Sequence, residues 1–333
     1  MRLRITATLA FSSIASLLAC EPAKDPVVPT PLGTSPDIAP SSSVAPIPTE
    51  KPATSGTLTQ SPEDDLFPRV AANGYVVFQR ETLDSETGNA AVMGGRLGAG
   101  AWLEQPVRLS PESKVGMSPT VSPDGTKIVF ISNALGPLAL LKRAPDPTSP
   151  ISVLLASDKA PELGEPAFSA DGTQIAFTMK GPDGKRMIAT INTDGTKFTP
   201  RFAGRTPAFR PDGAALVYVA RADGFNHLFI RELREGATER ALTTGKFDCD
   251  NPTYSPDGAE IAYASNRGFD DARAPRETFL QIFTTRPDGM DIKRITSPKV
   301  RAAAPFWAAD GWVYYSLSTG GSFDLARTKP TPQ

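Results

Sequence analysis

Six times along the chain a proline is followed, five residues later, by Asp-Gly or Asn-Gly: Pro68…Asn73-Gly74, Pro119…Asp124-Gly125, Pro166…Asp171-Gly172, Pro207…Asp212-Gly213, Pro252…Asp257-Gly258 and Pro305…Asp310-Gly311. Ordinary residue frequencies would give fewer than about one such match by chance in a chain of this size. The clearest copy, residues 251–263, reads Asn-Pro-Thr-Tyr-Ser-Pro-Asp-Gly-Ala-Glu-Ile-Ala-Tyr. It predicts strand, tight turn, strand. The proline is expected to begin the first strand, where its missing N–H costs least. Ser-Pro-Asp-Gly supplies a turn in which Gly takes a positive φ and Asp bonds its own backbone.

Successive prolines lie 51, 47, 41, 45 and 53 residues apart, the size of a four-stranded propeller blade. After the Asp-Gly comes a strand such as Ile128-Val129-Phe130-Ile131 or Leu216-Val217-Tyr218-Val219. These runs are apolar at nearly every position, as strands covered on both faces must be. The chain therefore reads as all-β, a six-bladed β-propeller of four-stranded blades. After Pro305 there is room for only three strands up to Lys329. Thr57-Leu58-Thr59 is expected to supply the fourth and close the ring, because an open ring leaves unpaired edges. Arg108-Leu109-Ser110, Ala241-Leu242-Thr243 and Arg294-Ile295-Thr296 stand at matching positions and read as the same outer strand.

The segment ahead of the repeats has a different character. Residues 1–19 carry Arg2 and Arg4 and then the apolar run Ile5 to Leu18, too short for a comfortable membrane span, and read as a secretory signal. Leu17-Leu18-Ala19-Cys20 resembles the lipobox of bacterial lipoproteins, which implies that Cys20 is lipidated and that its acyl chains hold the protein at a membrane. Glu21, where an inner-membrane signal would place Asp, leans toward the outer membrane facing the periplasm. Residues 20–56 include nine prolines among Ser, Thr and Ala and read as a disordered tether reaching at most about 110 Å. The expected layout is signal 1–19, lipidated Cys and tether 20–56, propeller 57–329 and tail 330–333.

Net charge is −1, from 35 basic and 36 acidic residues. Nothing in that balance favours a nucleic-acid partner, whose phosphates call for a strongly basic face. Within a blade, Asn192-Thr193-Asp194-Gly195, Arg234-Glu235-Gly236 and Arg286-Pro287-Asp288-Gly289 mark a turn between third and fourth strands, on the same face as the six Asp-Gly turns. The other face carries the blade-to-blade loops and those between second and third strands, expected to be longer and less uniform. Residues 80–91 and 266–278 stand out there, and such loops are where binding concentrates.

Ser-Pro-Asp-Gly followed by Ile-x-Phe/Tyr, with Leu-Thr or Ile-Thr closing the unit, resembles the WD40-like repeat of TolB-type periplasmic propellers. The resemblance covers Thr57 to about Lys329. TolB carries an α/β domain before its propeller and binds a peptidoglycan-associated lipoprotein and other envelope proteins. Here the signal, Cys20 and tether stand in that domain's place. The resemblance implies a cell-envelope propeller whose partner is another envelope protein or peptidoglycan-associated component, and which is expected to be monomeric.

Chemistry is sparse. The single histidine, His227, lies beside apolar strand residues, a setting that is more often structural than catalytic, and there is no Gly-x-Ser-x-Gly elbow. Asp248, Asp250 and Asn251 in one inter-blade loop, with Asp270-Asp271 in another, admit a Ca²⁺ site, although solvated carboxylates are the commoner explanation, and no cofactor is expected. Gly94 to Gly100 reads as a hairpin connection. Cys249, flanked by two aspartates, reads as an inert buried thiol.

The binding candidates surround one mouth of the channel. Phe67, Ser118, Glu165, Thr206, Asn251 and Ala304 directly precede the six prolines, with Arg205, Asp250 and Arg301 nearby. Asp248, Phe247, Arg267, Phe269, Asp270, Arg273 and Arg276 extend the set, since exposed aromatics and arginines favour interfaces. The expectation is a non-enzymatic binding or scaffold module. The rival is an envelope lyase or hydrolase acting on sugars or peptides at the same mouth.

Overall fold

The computed structural model describes residues 56–81, 90–98, 103–268, 280–318 and 321–330. They form six four-stranded antiparallel sheets. Five are consecutive in sequence: blade 1 over Asp64–Arg108, blade 2 over Gly116–Ala156, blade 3 over Gly164–Ala203, blade 4 over Arg205–Ala241 and blade 5 over Cys249–Arg294. The sixth takes Arg301–Trp307, Val313–Ser318 and Asp324–Thr328 from the C-terminal end and Gly56–Thr57 from the N-terminal end. Gly56 pairs with Arg327 and Thr57 with Ala326, so the expected closure is present. The innermost strands contact one another in order around a closed ring. Cys20 and the rest of residues 1–55 lie outside the described residues.

The turn that defines the repeat works alike in every blade. A side-chain Oδ of Asn73, Asp124, Asp171, Asp212, Asp257 or Asp310 accepts the N–H two residues on, at 2.9–3.0 Å. The glycine after each has φ between 69° and 81°, where a Cβ would be strained.

The prolines do not begin their strands, as the sequence alone suggested, but sit inside them. In every innermost strand two residues oppose one on the neighbour: Phe67-Pro68 against Phe78, and likewise at Pro119, Pro166, Pro207, Pro252 and Pro305. These are β-bulges, and the residue before each proline takes φ between 47° and 56°. A bulge leaves one residue out of the ladder, so proline loses no hydrogen bond there. Opposite the bulges stand Phe78, Phe130, Phe177, Tyr218, Tyr263 and Tyr315, all at most 2% exposed. The side chains of these second strands pack between blades. One core cluster joins Tyr75, Val77 and Leu109 of blade 1 to Ile128, Phe130 and Leu141 of blade 2, and another joins Leu58, Val76 and Phe78 to Tyr314 and Leu325 across the closure.

Leu-Thr at the end of a unit has its own explanation. The N–H groups of Leu58, Leu109, Leu242 and Ile295 donate to the carbonyls of Leu325, Val92, Leu228 and Ile282 on the third strand at 2.6–2.9 Å. The hydroxyl of the next residue, Thr59, Ser110, Thr243 or Thr296, then accepts the N–H of that same third-strand residue at 2.9–3.1 Å. A hydroxyl thus takes the place of a carbonyl as the chain leaves the sheet.

Two further expectations need correction. Gly94 and Gly95 belong to the strand Ala90–Leu97 rather than to a hairpin connection, because their missing Cβ atoms make room for Tyr75, Leu109 and Leu103. The loops between second and third strands are unequal in length, as expected, but not all of them are longer. Blade 4 turns on Asp223-Gly224 alone and blade 3 on residues 181–185.

Replacing Leu58 by Ala removes a side chain 3% exposed that joins the closure to blades 1 and 6. It is expected to cost about 3 kcal/mol in urea denaturation. The turn aspartates make stability acid-sensitive. Hydrogen bonds from Ser122 and from the Thr126 N–H hold Asp124 at about 2, below its ordinary 3.8, and Asp171, Asp212 and Asp257 are lowered in the same way, chiefly by Ser169, Arg210 and Ser255. A carboxylate more acidic folded than unfolded stabilises fully above about pH 4 and loses that contribution as pH falls toward about 2. Urea midpoints should fall across that window, and less steeply in Asp124→Asn.

Candidate functional site

The innermost strands run from the loop-rich face toward the Asp-Gly turns, so residues early in each strand ring the loop-side mouth of the channel. In blades 1, 2 and 6 the residues before the prolines, Phe67, Ser118 and Ala304, carry no charge, although Asp65 ahead of Phe67 forms a two-point ion pair with Arg80 at 2.7 and 2.9 Å. In blades 3, 4 and 5 the strands carry Glu165, Arg205 and Asp250 at or beside that position.

The charged sector is one connected network. Arg205 forms a two-point ion pair with Asp250, Nη1 to Oδ1 at 2.8 Å and Nη2 to Oδ2 at 2.7 Å. Glu165 Oε2 accepts the Thr206 N–H and the Thr178 hydroxyl, both at 2.7 Å. Its Oε1 lies 3.7 Å from Arg186 Nη1 and 3.9 Å from Arg205 Nη1. Asn251 donates its N–H to Asp250 Oδ1 at 2.8 Å. Burial pushes the pKa of Arg205 down, but Asp250, with Glu165 and Asp248 behind it, outweighs burial and leaves it raised. The bulges create this arrangement. Their positive φ turns the Thr206 N–H toward Glu165 of the preceding blade. At Phe67 and Ser118 it turns the same group toward Ser316 Oγ, at 3.2 Å, and Gln79 Oε1, at 2.8 Å.

Of the candidate residues, Glu165, Arg205, Asp250 and Asn251 are brought together. Asp250 and Asn251 lie within the strand Cys249–Tyr254 rather than in the inter-blade loop where the sequence placed them, because the bulge at Asn251-Pro252 lets pairing start earlier. Asp248 precedes that strand and holds the Asn226 N–H at 2.8 Å. Arg267 stacks 4.8 Å from the Phe247 ring, which meets His227 edge-on. Arg301 lies over Phe323 at 5.2 Å. Phe269, Asp270, Arg273 and Arg276 fall outside the described residues. Among the described residues no group of three His, Cys, Asp or Glu side chains converges as a metal site would require. His227 is 3% exposed and meets Thr243 Oγ1 at 3.4 Å. Cys249 is fully buried, and burial, more than its aspartate neighbours, pushes its thiol up to about 12.

Residues 151–332, more than half of the chain, match the family model described as TolB beta propeller domain. The chain belongs to the TolB propeller family. This TolB-type propeller is 30% identical over 194 residues to the uncharacterized protein Atu1656 of Agrobacterium fabrum, covering 54% of this chain and 57% of that protein. It is 26% identical over 168 residues to the uncharacterized peptidase YuxL of Bacillus subtilis, covering 50% of this chain and 24% of the peptidase. The chain thus spans little more than half of the first relative's length and a quarter of the second's. Among solved structures, TolB from Acinetobacter baumannii superposes with a TM-score of 0.56 at 16% identity, over 78% of this chain and 65% of that one. A puromycin-hydrolyzing peptidase from Mycobacterium tuberculosis gives 0.54 at 15%, over 80% and 50%. An oligogalacturonate lyase from Vibrio parahaemolyticus gives 0.52 at 12%, over 83% and 93%. These structures share the fold.

Sequence reading missed two members of the mouth and channel, Arg186 and Arg69. Arg186 opens a third strand and has no counterpart in the repeat. Arg69 did carry a signal, since it directly follows an anchor proline where the other blades place Thr120, Ala167, Ala208, Thr253 and Phe306. In the TolB-type mouth the Arg205–Asp250 pair is the structural keystone, with both side chains about four-fifths buried. Asp250→Asn is expected to lower stability by about 2 kcal/mol. Most of that loss should vanish when Arg205→Met is already present, as a double-mutant cycle in urea will show.

Proposed function

We propose that this TolB-type propeller is a non-enzymatic binding module of the bacterial cell envelope, held by acyl chains on Cys20 at the outer membrane and facing the periplasm. Its partner is another envelope protein or a peptidoglycan-associated component, gripped by the loop-rich face. The observation that carries this reading is the mouth itself, a rigid network in which Glu165, Arg205 and Asp250 hold one another and the backbone in fixed positions, with Phe67 at the equivalent position of blade 1. Preset charges in a ring that also offers an aromatic side chain suit recognition of a chain that is itself part charged and part apolar. Family membership supports the reading, since TolB propellers bind envelope proteins.

The rival reading is an envelope lyase or hydrolase, favoured by the fold shared with a lyase and a peptidase. Against it stand His227, enclosed and facing Thr243, and Cys249, buried and protonated. A photo-crosslinking residue at Asp183 or Asp223, exposed on the loop-rich face, should capture an envelope protein in intact cells. The same residue at Asp212 or Asp257, exposed on the opposite face, should not. Equal capture from both faces would overturn the assignment. So would turnover of a polyuronide or peptide that Glu165→Gln abolishes.

A further inference from the structure

Below the bulges the channel holds one more charge. Arg69 lies past Pro68 in the innermost strand Asp64–Val70 of blade 1, one step deeper than the mouth network. Both faces of that strand are covered by neighbouring blades, so the surface Arg69 keeps open can face only the channel. One of its hydrogen bonds is internal, from Nη1 to the carbonyl of Pro68 at 2.8 Å. Its guanidinium carbon stands 5.4 Å from the ring of Phe306 in blade 6. Among the described residues it has no carboxylate within 4 Å, unlike Arg80, Arg186, Arg205, Arg210 and Arg286. Glu165, the acid whose charge reaches it, is committed to Thr178, Thr206 and the two mouth arginines.

The walls at that depth leave room. The residues matching Arg69 in blades 3 and 4, across the ring, are Ala167 and Ala208, both partly exposed where only the channel can expose them. Enclosure lowers the pKa of Arg69 to about 10, against the pull of Glu165, so the group is charged at neutral pH and poorly compensated. A charge in that position is costly until an anion reaches it. The guanidinium presents a flat fork of donors that matches the two oxygens of a carboxylate. The ring of Phe306 and the two alanines suit a slim, partly apolar chain behind it.

We propose that the channel of this propeller takes a peptide carboxylate, from a chain end or an acidic side chain of the partner, on the guanidinium of Arg69. The proposal rests on the binding-module reading and names the chemistry that the module recognises. The mouth network positions the entering chain, and Arg69 reads the charge at its tip.

Calorimetric titration of the whole protein with three short peptides tests this: N-acetyl-trialanine with a free carboxylate, its amide, and N-acetyl-Ala-Glu-Ala amide. The free carboxylate should bind the wild-type protein and the amide should not. Binding by the third peptide as well shows that an acidic side chain also serves, and its failure assigns the site to chain ends. Arg69→Met should weaken carboxylate binding by at least about tenfold, and Arg69→Lys should retain part of it. Unliganded Arg69→Met should melt no lower than wild type, because a poorly compensated charge has been removed. Equal binding by the amide, undiminished binding by Arg69→Met, or binding of galacturonate or inorganic phosphate in place of the peptides would overturn the proposal. If Arg69→Met does not fold, the contrast between acid and amide on the wild type decides. Loop-face crosslinks that persist in Arg69→Met while no peptide carboxylate binds would sink the carboxylate site and leave the binding module standing. Absent crosslinks alongside carboxylate binding would do the reverse.

Discussion

Every sheet in this protein is apolar on both faces, and a sheet of that kind is stable only between two others. The constraint is circular. Blade 1 is covered by blade 2 on one side, but its other side must be covered by the last blade, and the last blade has only three strands of its own. Gly56 and Thr57 complete it, Leu58 enters the cluster between blades 6 and 1, and Thr59 caps the edge through the Leu325 N–H. Four residues at the start of the fold therefore settle whether six sheets form a ring or a stack with two greasy ends. Their contacts are also the longest in sequence, which places closure late in folding, after the local hairpins.

What was legible in the sequence follows from which contacts are local. The Asp-Gly turn is complete within six residues, so its aspartate, its glycine and the strand after it could be read directly. Leu-Thr was visible as a recurring pair, although the reason, a backbone N–H followed by a hydroxyl acceptor on one third-strand residue, needed the third strand in view. Blades 2 and 3 end differently, with Ala156 and Ala203 still paired in the ladder, at Ala139 and Met187. No hydroxyl is required there, which is why the pattern fades in those repeats. The bulges were not legible at all. Positive φ at Phe67, Thr206 or Ala304 contradicts the local preference of those residues, and it is imposed by pairing on one side and by the aromatic ring opposite.

The candidate site shows the same division. Glu165, Arg205, Asp250 and Asn251 stood beside the anchors in three repeats and could be collected from register alone. Arg186 comes from the third strand of the same blade, and its approach to Glu165 needs that sheet in view. Asp248 and Arg267 were near in sequence but are engaged elsewhere, one with the Asn226 N–H and the other with Phe247. Proximity along a strand places a residue at the mouth, but the bulge decides whether it faces the axis.

Bulges also explain why one scaffold can carry unlike mouths. At Asn251 the N–H turns to Asp250 of its own strand, whereas at Phe67, Ser118 and Thr206 the bulge aims one N–H at the blade before. Where that blade offers Gln79 or Ser316, the bond is neutral, and where it offers Glu165 it is charge-assisted. The charge on Glu165 then attracts Arg186 and Arg205, and Arg205 in turn fixes Asp250. A single acid at a bulge position thus organises the network of Arg186, Arg205 and Asp250, while Phe67 and Ala304 stand at the equivalent positions of blades 1 and 6. The fold depends on the bulge being present in all six repeats, whereas the chemistry of the mouth depends on which side chain stands there in each.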